Sequence, residues 1–397
     1  MRVVHHRTRG RQLLATKDVQ PGHLLMRALP LACVPADTEL DLRCSACLTP
    51  VDDSTSPCVC RSRVCEQCRP AWSRMHSAGE CVSLRHLSQL ANSREESGRG
   101  TADSGAARLL MRLAYLQLPQ CSPTAEEVRC PVGDALGDTV HVLEDLVSHW
   151  ERLGEVETQH ACAMADTVRQ CLLACARQSR ERLAILAATM WCNCFDVVDP
   201  QSGESIGEGV WPSVALALNH SCEPNADFVW EPGNAGAMAV RALRHIAANE
   251  EVCIAYCGLF ASAESRQRHL RATYHFDCAC RRCKSGDGGA PHGKELNDVP
   301  PLLTMLRQSM VDGSWSDAAA AATAVEAAVA PLVAGAPWCL LTLCRARWVR
   351  MQATARGVAC GWDARQAEQL HADCQLLLGD THPWTREVRT LMTSKRR

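Results

Sequence analysis

Two groups of residues near the middle of the chain have the types and spacing to bind one metal ion. The first is residues 219–225, Asn-His-Ser-Cys-Glu-Pro-Asn, and the second is residues 278–283, Cys-Ala-Cys-Arg-Arg-Cys. The C-x-C-x2-C spacing of the second group lets three thiolates face one point, and zinc takes four tetrahedral ligands. We therefore predict a zinc site made of Cys222, Cys278, Cys280 and Cys283.

Aromatic residues are concentrated in the segment that this zinc would close. An alternating apolar run over residues 250–256 predicts a buried strand that ends on Tyr256. The zinc would also place Tyr274 and Phe276 over Asn219 and His220. The whole chain has only three tyrosines and four phenylalanines, so this concentration indicates a use at the site. The alternative is that the rings only pack around the metal.

A second cysteine cluster lies between residues 44 and 81. Its seven cysteines and one histidine make eight potential ligands, which is the number that two tetrahedral zinc ions need. The segment has little apolar sequence, so we expect the metals to hold it folded. The alternative is a set of unliganded thiols. The candidate ligands are Cys44, Cys47, Cys58, Cys60, Cys65, Cys68, His76 and Cys81.

The bulk composition argues against two classes of protein. The formal net charge of −2 over 397 residues provides no general electrostatic attraction to nucleic acid. No recognition helix is visible either, so a zinc-finger DNA binder is the weakest hypothesis. We expect no signal peptide and no membrane span. The 25 cysteines then suit a reducing compartment, and we predict a cytoplasmic or nuclear protein.

Taken together, the motifs resemble a known family. The Asn-His-Ser-Cys-x-Pro-Asn segment, the E-x-x-x-x-Y strand and the C-x-C-x2-C tail resemble the SET domain and post-SET zinc site of protein lysine methyltransferases. With the cysteine cluster at 44–81, the chain is identified as a member of the SET-and-MYND (SMYD) family. The match spans roughly residues 9 to 285.

The resemblance implies an α+β protein built on a SET-domain β-fold. A MYND zinc finger and a helical insertion split that fold, and a C-terminal all-α domain similar to tetratricopeptide (TPR) repeats follows it. The predicted divisions are 1–43 for the N-terminal part of the SET domain, 44–81 for the MYND finger, 82–190 for a linker and the helical insertion, 191–262 for the core SET domain, 263–290 for the post-SET segment, and 291–397 for the TPR-like domain.

The resemblance also implies a protein-lysine N-methyltransferase that uses S-adenosylmethionine. Tyr256 would supply the catalytic hydroxyl, and Tyr274 and Phe276 would form the aromatic channel around the substrate lysine. Gln12 stands where the family has a second glycine after Gly10. The residues that would contact the cofactor are Arg9, Gly10, Arg11, Asn193, Asn219, His220, Tyr256 and Phe276.

Three zinc ions follow from the same resemblance, two in the MYND finger and one in the post-SET segment. On the crosswise pattern of MYND fingers, one ion is held by Cys44, Cys47, Cys65 and Cys68. The other is held by Cys58, Cys60, His76 and Cys81. Such fingers dock proline-containing peptides, here near Gln67, Arg69 and Trp72. The other expected partner is a protein or peptide substrate with a target lysine, and we expect a monomer.

Hydrophobic periodicity predicts the helices that support these sites. It places insertion helices at 107–118, 137–153 and about 157–190, and tail helices at 300–310, 315–333, 338–355, 363–378 and from Pro383. We predict that His141, His149 and His160 are structural or surface residues, because they lack metal-ligand spacing. Residues 379–383, Gly-Asp-Thr-His-Pro, resemble a TPR turn. The alternative for the tail is a helical bundle with no partner of its own.

A different class of function competes with the enzyme. A catalytically weak SET scaffold would recruit proteins through its MYND finger and helical tail, as an interaction or transcriptional-regulatory adaptor. Gln12 favours that hypothesis, whereas Asn219, His220 and the two tyrosines favour the methyltransferase.

Overall fold

In the described part of the chain, the β-structure is divided among four small sheets. A computed structural model describes residues 1–7, 9–96, 104–121, 143–199, 203–285 and 295–394. The strands are β1 Arg2–His6, β2 Gly10–Leu14, β3 Leu24–Ala28, β4 Ala32–Pro35, β5 Cys194–Val198, β6 Ser205–Val210, β7 Asn219–His220, β8 Ala226–Trp230, β9 Met238–Ala242 and β10 Cys253–Ile254.

Strands from the two ends of the SET domain pair with each other. β1 and β2 form an antiparallel hairpin, whereas β3 pairs with β9 and β4 pairs with β6. The three-stranded sheets have the orders β3-β9-β8 and β4-β6-β5, and β7 and β10 form a short parallel pair. Apolar side chains from both ends, such as Leu13, Met26, Trp211 and Ile254, are buried in one core. The split SET fold is therefore confirmed.

Helices form most of the described part of the insertion that separates the two halves of the SET domain in the chain. They are α1 Arg69–Met75, α2 Cys81–Glu96, α3 Ser104–Leu116, α4 Glu155–Cys171 and α5 Arg180–Asn193. Ser179 begins α5, where its side chain accepts a hydrogen bond from the backbone N–H of Arg182 at 3.1 Å. The apolar faces of these helices share a core with Ala32, Val34 and Val210 of the β4-β6-β5 sheet. The insertion is thus packed on the catalytic fold.

The remaining helices follow the SET core. Around the site are α6 Pro212–Ala217, α7 Ala263–Tyr274 and α8 Arg281–Ser285, and the tail contains α9 Val299–Val311, α10 Trp315–Val329, α11 Leu340–Ala355, α12 Ala364–Leu378 and α13 Pro383–Ser394. The predicted all-α tail is confirmed, with helix ends close to those expected. None of the helices in the described ranges is long and apolar enough to cross a membrane.

The tail packs directly against the SET domain. The ring of Trp338 lies 5.3 Å from that of Phe260, and the Arg282 guanidinium lies 5.1 Å from the Trp338 ring. A side chain added at Gly379 would come within 2.4 Å of Arg241 on β9. Burial of His382 in the same turn lowers its pKa to about 4. The turn that resembles a TPR turn therefore faces the catalytic domain.

Several local predictions were wrong. The helix predicted over about 157–190 is two helices, because residues 172–179 interrupt it. Of the helix predicted at 137–153, residues 137–142 and His141 lie outside the described residues. The part from 143 onward is turns and one 3-10 turn, Trp150–Arg152. Helix α5 also continues across the domain boundary that we expected between residues 190 and 191.

The active-site motifs also differ locally from the sequence prediction. The strand expected over 250–256 is only two residues long, Cys253–Ile254. From the apolar sequence after Pro212 we also expect a short helix that carries Leu216 to His220, but α6 ends at Ala217, and Asn219 and His220 lie in β7 instead. Because β7 pairs in parallel with β10, the Asn-His motif still lies beside the tyrosine that follows β10.

Candidate active site and zinc centres

One cleft of about 1490 Å³ collects residues from distant parts of the chain. It lies between the β2 hairpin, the β7–β10 pair, the end of α5 and the segment that follows α7. Residues of the tail, including Pro337 and Trp338, line one end of it. All nine residues predicted to bind the cofactor or take part in catalysis line this cleft: Arg9, Gly10, Arg11, Asn193, Asn219, His220, Tyr256, Tyr274 and Phe276.

Asn219 is held in a fixed orientation at the floor of the cleft. Its Nδ2 donates hydrogen bonds to the carbonyl oxygen of Arg11 at 2.7 Å and to Oε1 of Glu251 at 2.9 Å. Both amide hydrogens are therefore used within the protein. Only the Oδ1 oxygen of Asn219 can bind a ligand, and it does so as a hydrogen-bond acceptor.

Glu251 connects Asn219 to the N-terminal hairpin. Its second oxygen pairs with Nη1 of Arg9 at 2.9 Å, and its side chain is 14% exposed. The sequence identified Glu251 only as the first residue of the E-x-x-x-x-Y pattern. The neighbouring Arg11 instead reaches across the cleft and donates to the carbonyl oxygen of Asp145 at 2.6 Å. The cleft thus presents carboxylate and guanidinium groups side by side.

Gln12, which stands where the family has a second glycine, does not lie on the cleft surface. Gly10 lines the cleft with φ +68°, a left-handed conformation that favours glycine. Gln12 is 8% exposed and pairs with Val4 in the hairpin. It is not among the described residues that line the cleft. The Gln12 side chain is therefore accommodated in the fold without entering the space available to a ligand.

Asn193 lines the cleft from the end of α5. Its Nδ2 donates to the carbonyl oxygens of Val147 at 2.9 Å and Thr189 at 2.6 Å. The side chain consequently holds the start of β5 and the 143–149 segment together. Like Asn219, it has only an oxygen left to offer a ligand.

Tyr256 lies between the Asn-His motif and the aromatic rings. Its hydroxyl donates to the carbonyl oxygen of Leu218, and its ring centre lies 4.8 Å from that of Tyr274. Burial is the main cause, and Tyr274 a smaller one, of a rise in the pKa of Tyr256. Burial likewise raises the pKa of Tyr274 to about 12. Both hydroxyls are therefore protonated at neutral pH.

The aromatic concentration at the site is larger than the sequence motifs indicated. Phe195 and Phe228 also line the cleft, and their ring centres are 5.1 Å apart. Only Tyr115 and Phe260, of the seven tyrosines and phenylalanines in the chain, are not among its lining residues. The scarcity of these residue types elsewhere was the signal that could have identified both phenylalanines.

The four predicted post-SET ligands meet at one point. The sulfur atoms of Cys222, Cys278, Cys280 and Cys283 all lie within 4.8 Å of one another. Cys222 Sγ is 3.9 Å from Cys278 Sγ and 3.5 Å from Cys283 Sγ. Gln267 on α7 supports this turn through two hydrogen bonds to the backbone of Cys278. Four converging thiols suit zinc in number and chemistry.

His220 links this cluster to Tyr256 and is not itself placed to bind metal. Its Nδ1 accepts a hydrogen bond from the backbone N–H of Tyr256 at 2.9 Å, so the ring proton lies on Nε2. Nε2 is 3.3 Å from Cys222 Sγ, where it donates to the sulfur. His220 and Cys257 lie close enough to Cys222 to suggest another metal site. The protonated Nε2 argues against one.

The comparisons with known proteins agree with this geometry. The profile of the SET domain matches residues 10–257. The chain belongs to the SET domain family. SET methyltransferases use S-adenosylmethionine. The side chains that line the cleft of this SET domain are the candidates for binding that cofactor. The match covers the segments that supply β2, the end of α5, β7 and Tyr256.

Curated relatives confirm the predicted SMYD relationship. Histone-lysine N-methyltransferase ASHR1 of Arabidopsis thaliana is 28% identical over 73% of this chain and 56% of its own length. Histone-lysine N-methyltransferase SMYD3 of Homo sapiens is 27% identical over 71% of this chain and 61% of its own. N-lysine methyltransferase SMYD2-B of Xenopus laevis is 28% identical over 75% and 64%. The chain thus spans little more than half the length of the first relatives it matches.

The second cysteine cluster of this SET protein forms two four-membered groups. Cys44, Cys47, Cys65 and Cys68 form one, and Cys58, Cys60, His76 and Cys81 form the other. These are the two groups that the crosswise pattern predicts. In the second group, Cys58 Sγ lies 3.2 Å from His76 Nε2 and 3.5 Å from Cys81 Sγ. Each group therefore offers the donor number and softness that zinc prefers.

A buried ion pair supports the second group, and the sequence motifs did not reveal it. Glu80 is completely buried, with one oxygen 3.4 Å from Nδ1 of His76 and the other 2.8 Å from Nε of Arg112 on α3. Arg112 also donates to the carbonyl oxygens of Cys33 and Ser45. The spacing of four residues between His76 and Glu80 was the available signal. A carboxylate in this position orients a metal-binding histidine.

Glu80→Gln should weaken zinc binding at this second group roughly 10- to 100-fold, because outer-shell partners of metal-binding histidines have effects of that size. The amide would also leave Arg112 without its buried counter-charge. Competition with a zinc chelator, followed by native mass spectrometry, measures the effect. Asp41→Asn, which removes the exposed partner of Arg61, is the matched control and should leave zinc affinity unchanged. Equal affinity in Glu80→Gln and wild type would contradict the assigned role.

His149 is a further cleft residue whose position the sequence prediction missed. It lines the cleft, and its ring centre lies 5.1 Å from that of His275. Burial and the neighbouring His275 lower the pKa of His149. Nη1 of Arg152 donates to the carbonyl oxygen of His275 at 3.3 Å. The insertion therefore contacts the post-SET segment over the cleft. His160 packs beside Trp191, 5.5 Å between ring centres.

Proposed function

We propose that this protein is an S-adenosylmethionine-dependent protein-lysine N-methyltransferase. The observation that carries the proposal is the single cleft in which fixed polar groups at one end meet an aromatic cage at the other. Those groups come from segments about 200 residues apart in the chain, and they are the ones that the SMYD resemblance names. The curated relatives described above carry methyltransferase names, which supports the same reaction.

The polar end of the cleft fits the amino-acid end of the cofactor. An ammonium group needs acceptors, and Oδ1 of Asn219 together with the Glu251 carboxylate can provide them. A carboxylate needs a cation, and Arg9 and Arg11 lie on the neighbouring hairpin. Asn193 and the backbone of His220 would contact the rest of the molecule. When bound, S-adenosylmethionine supplies an electrophilic methyl group on a sulfonium.

The aromatic end suits a lysine side chain. Tyr274 and Phe276 would surround the lysine stem and its cation. Free lysine has a pKa of ~10.4, so the site must favour the neutral amine through desolvation and nearby positive charge. Tyr256 stays protonated and would orient the amine, because its hydroxyl is fixed on the Leu218 carbonyl oxygen. Positioning of two reactants can lower a barrier by roughly 7–11 kcal/mol.

Three zinc ions complete the proposal. Two would be held by the groups in the MYND finger and one by the post-SET thiols. Their chemistry here is structural, since each group is closed by four protein ligands. The post-SET ion would hold Tyr274 and Phe276 over the cleft through the turn that ends in Cys278.

The MYND finger offers a docking surface for a proline-containing peptide. Gln67 and Arg69 are exposed beside Trp72, which stacks on His76 at 3.7 Å between ring centres. An exposed polar pair next to a fixed aromatic ring suits such a peptide. We propose a protein or peptide substrate, a monomer, no direct nucleic-acid binding, and a cytoplasmic or nuclear location.

Asn219→Ala tests the cofactor site. Losing one hydrogen bond to a charged group costs about 1.5–3 kcal/mol, so cofactor affinity should fall roughly 10- to 150-fold. Calorimetric titration of the zinc-loaded protein with S-adenosylmethionine measures this. Gln369→Ala removes an exposed amide from α12 and serves as the matched control.

A second assay separates the two parts of the proposal, which are cofactor binding and methyl transfer. Binding by the wild type that is lost in Asn219→Ala establishes the cofactor site, and methyl transfer to lysine peptides then tests the reaction. If folded, zinc-loaded wild type does not bind the cofactor at all, the enzyme proposal is wrong. In that case the scaffold hypothesis, with the MYND finger as its binding surface, takes its place.

A further inference from the structure

Five thiols, rather than four, lie around the post-SET zinc site. Four belong to the predicted ligands, and the fifth is Cys257, the residue that directly follows Tyr256. The Sγ atoms of Cys257 and Cys222 and the Nε2 of His220 all lie within 4.8 Å of one another. Zinc needs only four ligands, and Nε2 of His220 carries a proton. Cys257 therefore has no place in a metal site and remains a thiol beside a zinc ligand.

The two neighbouring cysteines differ in their exposure to solvent. Cys222 is completely buried, whereas Cys257 is partly exposed and precedes the exposed Gly258. Cys257 is not among the described residues that line the cleft. A small oxidant can therefore reach Cys257 before it reaches Cys222, without entering the active site.

The backbone brings the two residues close enough for a disulfide. Cys222 follows β7 by two residues and Cys257 follows β10 by three, and these strands are paired in parallel. Paired strands lie about 4.8 Å apart, within the range of Cα separations that disulfides span. The backbone N–H of Ser221 also donates to the carbonyl oxygen of Ile254 at 2.9 Å. The pairing therefore continues towards the two cysteines.

Cys222 is the one predicted ligand that belongs to the SET core. The other three lie within the turn at 278–283, which also follows Tyr274 and Phe276 directly. Loss of Cys222 as a ligand would remove the metal link between the three thiolates of the turn and the core. A modification that selects Cys222 would consequently release the aromatic side of the cleft.

We propose that Cys257 is a site of reversible oxidation that controls the post-SET zinc. Hydrogen peroxide oxidises the Cys257 thiol to a sulfenic acid and is reduced to water. The Cys222 thiolate attacks that sulfur, a disulfide forms, and the hydroxide that leaves takes a proton from solvent to give a second water. Cys222 is then lost as a zinc ligand. In total, two thiols and one peroxide give one disulfide and two water molecules. A dithiol reductant and zinc restore the site.

The consequence for methyl transfer rests on the proposed function, but the chemistry does not. Formation of the disulfide removes the metal link between the turn and the core and thereby inactivates the proposed enzyme. Zinc release and disulfide formation occur in the protein whether or not it methylates lysine. These two readouts therefore test the site even if the proposed reaction is wrong.

The experiment compares wild type with Cys257→Ser during exposure to hydrogen peroxide. A chromogenic chelator follows zinc release, and peptide mass spectrometry without reduction identifies the linked cysteines. We expect wild type to release one zinc equivalent about tenfold faster than Cys257→Ser, with a Cys222–Cys257 link in the same period. Cys360→Ser removes an exposed thiol in the tail and should behave like wild type.

Each outcome of this experiment either supports or overturns the proposed oxidation of Cys257. Release from wild type and variant at the same rate would overturn the proposal, as would a link between other cysteines only. A disulfide that forms while the zinc stays bound would also overturn it. Restoration of three bound zincs by dithiothreitol and zinc completes the supporting result.

Discussion

Cys280→Ser should reduce methyl transfer at least about 100-fold while two of the three zincs remain bound. The serine hydroxyl is a poor zinc ligand, so the post-SET group loses its metal. Binding of zinc is coupled to folding, and the metal is what would join the thiols of the turn at 278–283 to Cys222 of the SET core. Tyr274 and Phe276 directly precede that turn, so they should lose their fixed position over Tyr256.

Three measurements separate this local effect from general unfolding. Native mass spectrometry should show two zincs instead of three, and limited proteolysis should reveal new cleavage between residues 274 and 285. The MYND groups lie in a different part of the fold and should keep their metal. Cys175→Ser, which removes an exposed thiol on the insertion, is the matched control. A Cys280→Ser protein with two zincs and undiminished methyl transfer would contradict the proposal that methyl transfer depends on the post-SET zinc.

Metal-ligand groups were the most predictable part of this protein. The spacing of Cys278, Cys280 and Cys283 is a local property, so it can be interpreted without knowing the fold. Cys222 was also predictable, because a three-thiol group needs a fourth donor. The structure brings all four together. The aromatic composition was informative for a similar reason, since a chain with few such residues concentrated them at one place.

Residues that act through a partner distant in sequence were not predictable. Glu80 gains its importance from Arg112, which lies 32 residues away on another helix. Glu251 is likewise defined by Asn219 of β7 and by Arg9 in the turn before β2. Single residues of these types are usually surface groups, so only the fold shows that they are buried and paired.

The helix and strand errors have two physical causes. A continuous apolar pattern over 157–190 does not show where two helices must turn back to pack on each other, as α4 and α5 do. The expected strand at 250–256 is short because its flanking residues serve other contacts. Glu251 bridges Leu14 of the hairpin, and the Tyr256 N–H is donated to a histidine side chain. Backbone pairing with the hairpin at one end and a side-chain contact at the other therefore leave only a short regular strand.

Tyr256→Phe should lower the rate of methyl transfer about 100-fold or more, while cofactor affinity changes by less than about threefold. The phenyl ring keeps the packing on Tyr274, so the cleft retains its shape. What disappears is the hydroxyl that the Leu218 carbonyl oxygen fixes in place. Misplacement of one reactant by about 1 Å can cost 10²-fold in rate. Rapid-quench kinetics with a lysine peptide, together with cofactor titration, measures both quantities.

The pH dependence of the same reaction tests the role given to the hydroxyl. Because burial raises the pKa of Tyr256 above its ordinary value of about 10, the hydroxyl stays protonated across the neutral and mildly alkaline range. The wild-type rate should therefore rise with pH as the substrate amine loses its proton, and show no fall from tyrosine ionisation in that range. Tyr115→Phe, which removes a buried hydroxyl that contacts Ser83 away from the cleft, is the matched control. If Tyr256→Phe methylates at the control rate, the hydroxyl does not orient the amine and the aromatic cage alone must do so.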